Sequence, residues 1–135
     1  MKKTIIAAFI AAAVLLAFSV LSLYITVWLF PKLAEQYYSS KFNSQSDRYM
    51  LFYVHPLVIG FALSWFWNRY KGVLTGSFIT RGIEFGLIYT GIAIVPMMFL
   101  IYSAISVSIS MVATWLLFGL LQGVIAGLVF EKANP

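Results

Sequence analysis

Residues 105–130 read ISVSISMVATWLLFGLLQGVIAGLVF, a run without one charged side chain and with glycines at 119, 123 and 127. It is long enough to cross a bilayer, since about 20 residues rising 1.5 Å each cover roughly 30 Å of hydrocarbon. It also lacks the alternating polar face of a helix in water. Three similar runs precede it, over residues 4–30, 49–67 and 82–102, separated by an outer connection at 31–48 and an inner one at 68–81. The sequence therefore predicts an all-α polytopic membrane protein, residues 1–135 forming one domain of four transmembrane helices arranged as two antiparallel hairpins. Between Tyr102 and Ile105 there is almost nothing, so the last two helices are expected to turn tightly.

Composition excludes several function classes. Hydrophobic residues make up 62% and charged residues 10% of the 135 positions, and mean hydropathy is +0.94. A soluble domain carries about 25% charge, so a water-soluble monomer is excluded. The net charge is +5 and the isoelectric point about 9.6, but the bases flank apolar runs. They read as topology determinants and phospholipid contacts, with no nucleic-acid partner. The chain has no cysteine, so disulfides, thiolate catalysis and cysteine-ligated metals are ruled out.

Orientation follows from the positive-inside rule. With the N-terminus inside, Lys2, Lys3, Arg69, Lys71, Arg81 and Lys132 are cytoplasmic, and Lys32, Lys41 and Arg48 are outside. After subtracting Glu84 and Glu131 inside, and Glu35 and Asp47 outside, the balance is +4 against +1. Both termini are therefore expected inside, in a cell (inner) membrane. Amphipathic rings agree: Tyr24, Trp28, Tyr49, Tyr53 and Tyr102 belong to the outer interface, and Trp65, Trp67 and Tyr70 to the inner. Met1-Lys2-Lys3 and Ala17-Phe18-Ser19 resemble a signal peptide with a cleavage site. Val20–Phe30 continues the apolar run, so an uncleaved first helix is expected. The outer connection, with Ser39, Ser40, Asn43, Ser44 and Ser46, is expected to form a small cap, and the inner one a mobile loop.

Small residues four apart recur in each run: Ala7/Ala11, Ala13/Ala17, Gly60/Ser64, Gly82/Gly86 and Gly119/Gly123/Gly127. Such ridges let helix backbones approach closely in lipid, either within the chain or between copies. At about 100° per residue Ser103, Ser106, Ser110 and Thr114 fall on one face, the outline of a polar path set against hydroxyls that bond their own backbone or a neighbouring helix. Glu84 is the only acid inside a predicted span, where a carboxylate suggests proton or cation coupling. Arg81, three residues earlier, offers it an ion pair instead. His55, the sole histidine, precedes Pro56 in the outer part of the second run; a ligand role shared with Met97 and Met98 is set against an interfacial hydrogen bond. Pro56 and Pro96 each remove a helix hydrogen bond and are expected to shape the outer half. Gln122 can supply one interhelical bond.

No nucleotide, metalloprotease or serine-hydrolase motif occurs, and no cofactor is implied. Length and span count are similar to those of small multidrug transporters, which depend on a glutamate embedded in their first helix. Here nothing between Lys3 and Lys32 ionises. The leading expectation is a non-enzymatic protein acting through helix contacts, as a homo-oligomer or an accessory subunit of a membrane complex. The alternatives are a small oligomeric transporter or channel using Glu84, and a membrane enzyme acting on lipid-soluble substrates at His55.

Overall fold

The computed structural model describes residues 1–38 and 48–135, so the serines and asparagine of the expected outer cap, with Lys41 and Asp47, lie outside the described residues. The elements are α1 (Lys2–Leu29), α2 (Pro31–Gln36), α3 (Tyr49–Tyr70), α4 (Phe78–Tyr89), a π segment (Thr90–Ile94), α5 (Val95–Ala104) and α6 (Ile109–Ala133). Four helical stretches, Lys2–Leu29, Tyr49–Tyr70, Phe78–Ala104 and Ile109–Ala133, are long and apolar enough to cross a membrane. No strand occurs among the described residues.

Local chemistry sets the boundaries. Phe30 leaves the helical region at φ −128°, ψ 60°, and Pro31 opens α2 at its first turn, where the missing N–H costs nothing. Ser77 and Ser108 are side-chain caps, accepting from the Thr80 and Met111 amides and fixing the starts of α4 and α6. The third span therefore begins before residue 82. The last turn is looser than expected: 105–108 is non-helical, so Ser103 and Ser106 stand off α6 and the four-residue hydroxyl face does not form. Thr114 and Ser103 instead donate to carbonyls of their own helices.

Pro56 sits buried inside an uninterrupted α3. Pro96 follows a wide turn, in which the Val95 amide reaches back five residues to Thr90 O. That π turn lets the chain pass a residue with no amide to donate, so helix continues on both sides.

α1 packs along α3, α4 along α6, and α1 against α6, which gives the order α3, α1, α6, α4 across the molecule. The core gathers at the end holding the α1 N-terminus and the α3 C-terminus: Ala7, Ala11, Leu15, Leu63, Trp67, Leu74, Phe85, Ala126 and Phe130. Trp67 is wholly buried, its ring 5.2 Å from Phe85 and 6.0 Å from Phe130. It is a core residue, where an interfacial one was expected, because its indole N–H is satisfied inside by Asn134 O at 2.9 Å. The connection before α4 is tied down too. Leu74 is buried, and Lys71 Nζ donates to Asn134 Oδ1 at 3.0 Å. Of the small-residue pairs, Ala7/Ala11 is buried and Ala13/Ala17 is exposed.

Candidate functional site

The glycine ridges lie inside the molecule. A Cβ on Gly86 would stand 2.6 Å from Val124 N, one on Gly127 2.7 Å from Gly82 O, and one on Gly123 3.1 Å from Gly86 Cα. Gly82 and Gly86 of α4 thus face Gly123 and Gly127 of α6, backbone against backbone. Gly119 receives the Ile94 side chain of the π segment. Gly60 rests against the backbone of Ala8 and Ala12, and its neighbour Ser64 donates to Thr4 O at 2.7 Å, joining α3 to α1.

The charged candidates separate. Arg81 does not pair with Glu84 as expected: its Nη1 bonds Glu131 Oε1 at 2.6 Å and its Nη2 bonds Lys71 O at 2.9 Å. Its guanidinium carbon lies 5.6 Å from the Trp67 ring centre. The helix pair α4 and α6 runs so close that a carboxylate fifty positions away in sequence outcompetes one three positions away. Arg81 thereby ties the ends of α3, α4 and α6 together. Glu84 is half-buried and has no ion-pair partner among the described residues. Gln122 is 1% exposed, and its Nε2 has no hydrogen-bond partner among the described residues.

His55 lies elsewhere, on the wall of a half-open cavity of about 450 Å³. Ser19, Ser22 and Thr26 reach this cavity from successive turns of α1, Phe52 and His55 from α3, and Thr114, Trp115 and Phe118 from α6. Ala34, Tyr37 and Tyr38, in and just after α2, form its roof. Tyr37 turns toward α6, and Trp115 Nε1 donates to its Oη. Ser108 Oγ donates to Gln36 Oε1 at 2.7 Å, so two contacts dock α2 onto α6. Burial pushes the Tyr37 phenol above its ordinary range, against the smaller opposing effect of the Trp115 hydrogen bond.

The lining is mostly carbon, and its polar groups are specialised. Ser19 and Thr26 donate their hydroxyl protons to Leu15 O and Ser22 O, as Thr114 does to Ser110 O, so they offer the cavity only lone pairs. The Ser22 hydroxyl and the His55 imidazole make no hydrogen bond within the described residues, and remain as donors for whatever enters. Met97 and Met98 do not line this space, and no group of three or more His, Asp or Glu that could hold a metal occurs among the described residues. His55 and Glu84 are not brought together.

The sequence did not point to the cavity or its roof. The one available signal was the spacing of Ser19, Ser22 and Thr26, which puts three hydroxyls on one side of an otherwise apolar helix.

Fold and site together define a helical protein with four stretches long and apolar enough to cross a membrane and a small-molecule-sized cavity near one end of them. No protein-family model, curated protein or solved structure matches the chain.

Proposed function

We propose that the chain is a non-enzymatic inner-membrane protein that holds a lipophilic molecule in the cavity roofed by α2. In this reading the long helices form two antiparallel hairpins with both termini cytoplasmic, as the distribution of Lys and Arg favours. The cavity then opens toward the outer leaflet. α1 is retained, because Ala7, Ala11 and Leu15 belong to the core. The observation that carries the proposal is the donor arrangement: a carbon-lined space of about 450 Å³ into which Ser22 and His55 bring donors that no group among the described residues uses. It suits an apolar body bearing one carbonyl or hydroxyl, a description that an isoprenoid quinone meets.

The test is to purify the protein in mild detergent, extract what it retains and identify it by mass spectrometry. A single lipophilic species should copurify, fall severalfold in His55→Leu, and disappear in Ser22→Phe, which fills the space. Retention of bulk lipid only, or equal retention in all three proteins, would overturn the reading.

A second reading, assembly as a homo-oligomer or accessory subunit, is supported by α5. It contributes no buried residue and exposes Met97, Phe99 and Leu100. The glycine ridges that first suggested assembly are occupied within the chain, so a partner would have to meet this outer half-helix. A crosslinkable residue placed at Phe99 should then capture a protein partner in membranes; lipid adducts alone would speak against it.

A further inference from the structure

A second cavity, of about 400 Å³, lies between the first turns of α1 and the last turns of α3, at the opposite end of these helices from the His55 cavity. Its walls divide by chemistry: Ile5, Ala8 and Phe61 are apolar, whereas Thr4, Asn68 and Arg69 are polar. No acid lines it. Arg69 has no carboxylate partner among the described residues, and its guanidinium carbon sits 5.5 Å from the Trp65 ring centre, one helical turn back. Stacking on an indole holds the charge at the mouth while leaving its N–H fork free to meet an oxyanion. Lys2 and Lys3 stand exposed in the first turn of α1, at this same end of the molecule. A guanidinium held on an indole thus sits at the mouth of an apolar trough, with two further bases at the same end of the molecule.

We propose that this groove binds an anionic phospholipid, the phosphate held by Arg69 and an acyl chain lying against Ile5 and Phe61, with Lys2 and Lys3 adding to the positive charge of this end. The inference rests on the helices residing in a bilayer and is independent of what occupies the His55 cavity. A zwitterionic headgroup brings its own ammonium into this basic cluster and gains little; a net negative one gains from every base. A basic residue near the membrane surface contributes about fivefold to the affinity for an anionic lipid.

Native mass spectrometry of the full chain in an equimolar mixture of phosphatidylglycerol and phosphatidylcholine reads this directly. The wild type should retain one phosphatidylglycerol at least tenfold in preference to phosphatidylcholine. Arg69→Gln should cut that preference about fivefold, and Lys132→Gln, a base of the same end that does not line the groove, should leave it unchanged. Arg69 is exposed, so its replacement threatens no core contact. Equal retention of the two lipids, or equal effects of the two substitutions, would overturn the proposal. So would displacement of the retained lipid by millimolar inorganic phosphate, which would mean that the trough has no part in binding. His55→Leu should not alter the headgroup preference, which keeps this test apart from that of the first cavity.

Discussion

Gly86→Ala adds one methyl group where α4 crosses α6, and the structure sets its cost. The new carbon would lie 2.6 Å from Val124 N and 2.8 Å from Val124 Cα, and would also strike Val124 Cγ2. The side-chain methyl can rotate away; the backbone atoms cannot. Comfortable carbon contacts are about 3.5–4.0 Å, so the helices must part by about 1 Å, and a gap of that size forfeits a quarter to a half of each contact near it. Overpacking of this kind costs about 1–3 kcal/mol, and an immovable backbone puts this site near the upper figure. Alanine returns about 1 kcal/mol through its better helix propensity. The expected net loss is therefore about 2 kcal/mol, roughly a thirtyfold fall in the folded-to-unfolded ratio. Gly91→Ala is the internal control, because nothing lies within 4 Å of its added carbon; it should be neutral or slightly stabilising. Unfolding in mixed micelles of rising dodecyl sulfate fraction, followed by circular dichroism, measures both, and size-exclusion chromatography reports the assembly state. Equal midpoints for Gly86→Ala and Gly91→Ala would refute the reasoning. So would loss of an oligomer with the monomer's unfolding unchanged, because the ridge would then work between chains.

Arg81→Met and Glu131→Leu should each destabilise by about 3 kcal/mol, since either leaves a largely buried charge unpaired, while the double variant should recover most of the loss; additive losses in the same unfolding assay would contradict the pairing. Gln122→Met should raise stability by up to about 1 kcal/mol, because it removes a buried amide nitrogen with no partner among the described residues, and a clear loss would mean that the amide is bonded in the bilayer. The raised Tyr37 pKa gives the roof a pH dependence. The folded state favours the neutral phenol, so its contribution is complete below the ordinary value near 10 and is lost as pH climbs from there through the higher folded value. Trp115 fluorescence should report release of α2 over that alkaline window, and Tyr37→Phe should abolish the transition; an unchanged transition would place its origin elsewhere.

How much of this was legible in the sequence depended on whether the cause was local. The four spans were, because apolar length is a property of consecutive residues. The starts of α4 and α6 are written in Ser77 and Ser108, yet they were expected at 82 and 105: the charge at Arg81 drew the third span's start inward past its cap, and the unbroken apolar run hid the cap of the fourth. The hydroxyl face failed for a different reason. It assumed one helical phase through 105–108, and a cap at Ser108 breaks that phase. Trp67 was misplaced because amphipathic rings usually seek the interface, and nothing near it in sequence announces that Asn134 will satisfy its N–H from within.

Composition and spacing alone determined that the chain is helical, long enough and apolar enough to cross a membrane, and equipped with small-residue ridges. Only the tertiary structure decided what those features serve. It turned the glycines of α4 and α6 against each other and gave Arg81 to Glu131 instead of Glu84. It also brought Ser22 and His55 from separate helices to one cavity beneath Tyr37. The physical reason is that apolar length acts residue by residue along the chain, whereas ion pairs, caps on cavities and backbone contacts depend on distances of a few ångströms between segments far apart in sequence.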